Sequence, residues 1–187
     1  MKKLILSFAA LLSAVTALRA QQDFYDKLTV VGDDVHYSGA NAVYKVKIIA
    51  NRYQLSNVFN LMDDDAKMTL LDGKPAPELS NVIDVVRVGD FDVKATLQEV
   101  FTPTEIAALK SESVLFSLHC IIDSSGYISE IRFLFPNKPA AYSIPPDKWY
   151  ELEQKIKQRL TYTMSPKAKS CTFVNSMILL SFRHIFK

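Results

Sequence analysis

The alternation of apolar and polar residues is clearest over residues 114–135, VLFSLHCIIDSSGYISEIRFLF. Two β-rich runs flank Asp123-Ser124-Ser125-Gly126, four turn-forming residues with a glycine at the exit, and together they predict a β-hairpin. A four-residue loop sets Ile122 opposite Tyr127, then Cys120 opposite Ser129, Leu118 opposite Ile131 and Phe116 opposite Phe133. These pairs share one face, and nearly all are apolar. The other face pairs His119 with Glu130 and Ser117 with Arg132. A slip of one residue would mix the two faces, so the pattern favours this register.

Upstream, residues 21–27 are polar and read as a mobile start. Residues 28–31 and 35–37 flank Gly32-Asp33-Asp34 and predict a short hairpin. Residues 42–50 alternate, with Tyr44, Val46 and Ile48 on one side and Lys45 and Lys47 on the other, as in a half-buried strand. Leu55, Val58, Phe59 and Met62 fall at helical spacing and predict a short helix closed by Asp63-Asp64-Asp65. Residues 67–71 read as a strand turned by Asp72-Gly73, and Pro75 and Pro77 mark a loop. Residues 82–88 and 91–97 flank Gly89-Asp90 and predict a second hairpin.

Then the period changes. Thr102-Pro103-Thr104-Glu105 is a capping box with proline at the first helical position, and Phe101 and Ile106 are spaced as a hydrophobic staple. This helix is expected to end near residue 110. A second begins at Pro145-Pro146, with Trp149, Leu152, Ile156 and Leu160 as its core stripe. Glu151 with Lys155 and Glu153 with Lys157 form Glu-to-Lys pairs in the favourable order. Residues 171–186 close the chain as a strand. In it Met177, Leu179 and Ser181 alternate with Ile178, Leu180 and Phe182, so both faces are largely apolar. Such a strand is normally covered on both faces. Here the two covers would be the Trp149 helix and the N-terminal half. Otherwise the strand is an edge that pairs with a second copy or with a partner's strand. The class is α+β, divided into a leader (1–20), a β-rich N-terminal region (21–100) and a helix-hairpin-helix-strand unit (101–187).

The leader changes the charge picture. Lys2 and Lys3 precede an apolar run over residues 4–18, and Leu18-Arg19-Ala20 reads as a cleavage site, so the chain is expected in the periplasm or secreted. The run is short for a membrane span, and none is expected once it is removed. The full chain carries 22 basic against 20 acidic residues; without Lys2, Lys3 and Arg19 it carries 19 against 20, a net of −1. No electrostatic footprint for nucleic acid remains.

Candidate chemistry is sparse. Cys120 and Cys171 are the two cysteines, and an oxidising compartment permits a bond between them. If the closing strand runs antiparallel to the first hairpin strand, the two approach each other; they pair or remain two buried thiols. His36, His119 and His184 are scattered without an i, i+4 partner, so no metal site is expected. Asp63-Asp64-Asp65 lacks the spacing of a calcium loop and reads as a solvated turn. The nucleophile-elbow, zinc-helix, dinucleotide and phosphate-loop motifs are all missing, so neither catalytic residues nor a cofactor are assigned.

Residues 101–187 resemble the TonB C-terminal domain family. The resemblance rests on residues 118–122 leading into Ile122-Asp123-Ser124-Ser125-Gly126, on residues 128–135, on the amphipathic helix of 147–160 and on the strand ending near Phe182. It implies a small antiparallel sheet with a helix packed on one face, and an edge strand that receives a partner's strand. The same segment is similar to an uncharacterised group of small exported proteins of Gram-negative gut bacteria. The Pro-rich spacer and retained anchor of TonB have no counterpart here, and residues 21–100 lie outside the resemblance. Two function classes stay open: a non-catalytic exported binding protein, and a small-ligand carrier or enzyme with a pocket between the two halves.

Overall fold

In the computed structural model, which describes residues 22–62, 67–76, 85–88 and 91–187, one antiparallel sheet of seven strands runs through both halves of the chain. Its first four strands are β1 (Leu28–Val31), β2 (Asp34–Ser38), β3 (Val43–Ile49) and β4 (Arg52–Asn57). A fifth, β5 (Val85–Val88), lies elsewhere, in a two-stranded sheet with β8 (Thr161–Met164). The hairpin strands β6 (Leu115–Ile122) and β7 (Ile128–Pro136) and the closing β9 (Val174–Ser181) complete the order β1-β2-β3-β4-β7-β6-β9. The N-terminal and C-terminal halves therefore share one hydrogen-bonded sheet, joined where β4 pairs with β7. The leader and the Asp63-Asp64-Asp65 run lie outside the described residues. Among the described residues, no helix is long and apolar enough to cross a membrane.

Four expectations are corrected. Residues 52–57 form a strand, not the start of a helix. Tyr53 and Leu55 are buried while Arg52, Gln54 and Ser56 are less so, and two neighbouring strands take up the backbone bonds. Residues 93–100 form helix α1 (Val93–Val100), not the second strand of a hairpin. Asp92 caps it by accepting from the Ala95 N–H at 3.0 Å, and Leu97 and Val100 bury one helical face with Thr96. An alternating run of seven residues also satisfies part of a helical period, and here the cap decided. Residues 22–25 are helical, and Phe24 is buried with its ring 5.0 Å from those of Tyr37 and Tyr53. Finally, the hairpin register is displaced by two: Leu118 faces Phe133, Cys120 faces Ile131 and His119 faces Arg132.

The displacement comes from the turn. Ile122 pairs with Ile128 rather than Tyr127, so five residues instead of four separate the paired ends, with Asp123 N–H donating to the Tyr127 carbonyl across them, and an irregularity between Ile121 and Ile122 absorbs Ser129. Asp123 Oδ1 accepts from the N–H groups of Ser125 (2.8 Å) and Tyr127 (3.0 Å). Gly126 has φ of 91°, and a Cβ there would lie 2.0 Å from the Tyr162 carbonyl oxygen. A shift of two preserves the faces, which is why the predicted core survived it.

Helix α2 (Pro103–Ser111) carries the expected capping box: Thr102 N–H donates to Glu105 at 2.7 Å, and Glu105 N–H donates to Thr102 Oγ1 at 3.3 Å. After the short α3 (Pro139–Tyr142), α4 (Pro146–Arg159) lies on one sheet face. Trp149 packs 4.8 Å from Phe116 and 5.0 Å from both Phe133 and Phe135. Phe116, Leu118, Ile131 and Phe133 are fully buried. Such ring pairs contribute ~0.5–1.5 kcal/mol each beyond area burial. The start of α4 is tied to the β2–β3 turn, since Asp147 accepts from the backbone N–H groups of Asn41 (2.7 Å) and Ala40 (3.0 Å). Two further short helices, α5 (Pro166–Lys169) and α6 (Phe182–Ile185), flank β9.

Candidate functional site

Strand β9 is an edge of the large sheet, and among the described residues it has one strand neighbour, β6. Its register sets Leu118 opposite Ile178 and Phe116 opposite Leu180, so Ile178 and Leu180 face the helices and are buried. Met177 and Leu179 fall on the opposite face and are 55% and 59% exposed; Ser181 shares that face, half-buried. Eight residues long, the strand contains no charge, no proline and no glycine. Natural edges are usually blunted by one of these devices or by shortness. One face is core and the other is open to solvent: among the described residues the N-terminal half does not cover β9, as one of the two expectations had it, but extends the sheet from its other side through β4.

The second feature lies where the halves meet, at the end of β4. Glu153, on α4, is 1% exposed. Its carboxylate accepts from Tyr44 Oη at 3.0 Å and from Lys157 Nζ at 2.6 Å, with the Asn57 amide at 3.5 Å. Burial, then the neighbouring Glu153 charge and its hydrogen bond, hold the Tyr44 phenol far above the usual tyrosine range. A cavity of about 340 Å³ opens beside this group, lined from the N-terminal half by residues 57 and 59–61 and from the C-terminal half by Ser129, Glu130, Glu153, Gln154 and Lys157. In the sequence Glu153 looks like half of an exposed ion pair. Its position four residues after Trp149 and three before Ile156 is the signal that it borders the buried stripe. Nothing at the sequence level marks Tyr44, thirteen residues before the end of β4, as its partner.

The remaining candidates are placed apart. Cys120 and Cys171 are both buried free thiols. Cys120 faces Ile131 on one side and Ser176 on the other, while Cys171 precedes β9 and bridges to Leu70. The closing strand does run antiparallel to β6, but Ser176 occupies the position abreast of Cys120. His119 is exposed between Arg132 and Met177 rather than opposite Glu130. His36 lies four strands away on β2, His184 follows β9, and no cluster of metal-ligating side chains occurs among the described residues. A smaller cavity of about 120 Å³ sits on the open sheet face against Lys45, Lys47 and Arg132.

These observations define an α+β protein with a seven-stranded antiparallel sheet, helices on one face and an unprotected edge. No family model matches the chain, and no curated protein matches it. Its fold is similar to the crystal structure of a DUF5043 family protein from Bacteroides uniformis ATCC 8492. The TM-score is 0.60 at 16% identity over 79% of this chain and 85% of that one. At this identity the likeness is one of fold.

Proposed function

We propose that this protein is an exported, non-catalytic binding module that takes an extended segment of a partner protein along β9. The observation that carries the reading is an uncharged eight-residue edge strand with Met177 and Leu179 exposed on it. Added-strand recognition uses backbone hydrogen bonds for affinity and alternate side chains for specificity. Met177 and Leu179 are the alternate side chains here. Helix α2, the β6–β7 hairpin, helix α4 and strand β9 follow one another in the order on which the resemblance to TonB C-terminal domains rests, with α3, β8 and α5 inserted between them, and that resemblance implies the same mode of binding. Export rests on the charged, apolar and small-residue pattern of residues 1–20.

Peptides selected from a random library against the purified protein test the edge. The expected binders are extended and protect β9 amides from hydrogen exchange, and Leu179→Lys abolishes their binding without altering the fold. Protection confined to another surface, or binding indifferent to Leu179→Lys, rejects the proposal. A concentration-dependent dimer that protects β9 assigns the edge to a second copy. Mass spectrometry of the exported protein tests the leader: the first residue is expected to be Gln21, and a full-length chain held in the membrane contradicts export.

A further inference from the structure

The segment of residues 58–62 is held firmly and yet presents its two largest side chains to water. Phe59 N–H donates to Asn57 Oδ1 at 3.1 Å, and the Asn60 side-chain amide donates to the Ile131 carbonyl at 3.2 Å. The Glu130 carboxylate, 8% exposed, accepts from Leu61 N–H at 2.7 Å and from Met62 N–H at 3.1 Å. Arg132 donates to the Met62 carbonyl. A buried carboxylate and a buried guanidinium thus anchor this loop to β7. Phe59 and Leu61 are nevertheless 82% and 93% exposed. An anchored loop with solvent-facing apolar side chains is preorganised for contact with something outside the chain. Both residues line the cavity of about 340 Å³ at the junction of the halves, within the size range of small-molecule sites.

The rest of the wall is polar, with two carboxylates against one ammonium. Glu153 and Lys157 cancel each other across 2.6 Å, and Glu130 is committed to backbone N–H groups. Lys157 retains further N–H donors. The Gln154 amide makes no hydrogen bond within the described chain and offers both a donor and an acceptor, and Ser129 Oγ, which donates to the Ile121 carbonyl, keeps acceptor capacity. A wholly apolar ligand would leave these groups unpaired. An acidic one would gain Lys157 only in competition with Glu153.

We propose that this cavity, with Phe59 at its rim, binds a neutral polyhydroxylated ligand, a sugar unit or short oligosaccharide. Adjacent hydroxyls both donate and accept, which matches Gln154, Lys157 and Ser129, and the apolar C–H face of a pyranose ring packs on Phe59. The proposal is independent of the β9 edge, which lies across β6 and β7 from this loop.

Saturation-transfer NMR and calorimetry on the purified protein, with glucose, galactose, mannose, N-acetylglucosamine, maltose and cellobiose as probes, test it. Glucuronate and the dipeptide Gly-Phe serve as controls. At least one neutral sugar is expected to bind, and Phe59→Ala and Gln154→Ala are each expected to weaken it about tenfold or more. Both residues lie at the surface of the cavity, so the melting temperature should be unchanged, and Leu179→Lys should leave sugar binding intact. No binding by any neutral sugar, binding by glucuronate or Gly-Phe alone, or binding insensitive to Phe59→Ala overturns the proposal.

Discussion

Tyr44 and Glu153 form a polar pair inside an otherwise apolar layer, 0% and 1% exposed, and the consequences of breaking it are calculable. Tyr44→Phe deletes the hydroxyl that donates to Glu153 at 3.0 Å. Hydrogen bonds to a charged group contribute about 1.5–3 kcal/mol, so a loss of that size is expected. Glu153→Leu removes the acceptor and leaves the Tyr44 hydroxyl buried without a partner, which costs ~1–3 kcal/mol. Lys157, 23% exposed, can turn its ammonium to water and adds little to that loss. The double variant removes both polar groups together. A buried polar pair replaced by apolar groups of similar shape is often close to neutral. The two single losses should therefore fail to add, with a coupling that approaches their sum of ~2.5–6 kcal/mol. Urea titrations of the four proteins, extrapolated linearly, measure this directly. Such a coupling is a substantial part of the ~5–15 kcal/mol that holds a domain folded. Losses that add to within ~0.5 kcal/mol would refute the reasoning, because they would mean that each group finds water in the absence of the other.

Other expectations follow from single sites. Gly126→Ala combines a left-handed φ of 91° with a Cβ 2.0 Å from the Tyr162 carbonyl; a loss of about 2 kcal/mol or more is expected in thermal denaturation, and a neutral result would show that β8 does not pack on the turn. Leu118→Ala should cost ~2–5 kcal/mol as a core truncation, whereas Leu179→Ala on the same sheet should stay within ~0.5 kcal/mol; equal losses in denaturant would reject the two-faced assignment of β6 and β9. Hydrogen bonds from the Asn41 and then the Ala40 backbone lower the Asp147 carboxyl below its ordinary value. A group lowered in the folded state contributes stability that is complete above the unfolded value of ~3.9 and is lost as pH falls through the folded value. Asp147→Asn should therefore flatten the acid limb of the stability profile below about pH 4, and an unchanged limb would contradict the role of the turn.

The sequence by itself determined the elements whose signals are local. The Thr102 cap, the Trp149 stripe and the Asp123–Gly126 turn depend on residues within one or two turns of chain, and each is present in the structure. Which residues of the hairpin face the core was also legible, because alternation has period two and a register error of two leaves it intact. What failed was short and ambiguous. Residues 93–97 satisfy both periods, and an aspartate cap at the second position of the supposed hairpin strand tipped them to helix. Residues 55–62 carry a helical spacing, yet the free backbone edges of β3 and β7 captured 52–57 as a strand. Only the tertiary structure decided what lies beside what. It joined the halves through β4 and β7, turned Glu153 from a surface ion-pair residue into a buried acceptor for Tyr44, and left β9 at the sheet's edge. Strand order and the polar contacts between the halves arise from pairings between residues far apart in the chain, such as Ser56 with Arg132 and Tyr44 with Glu153, and no local spacing encodes them. That is why the Tyr44–Glu153 pair and the junction cavity came into view only once the chain was folded, whereas the apolar alternation of β9 was legible beforehand and only its place at the edge was left to the fold.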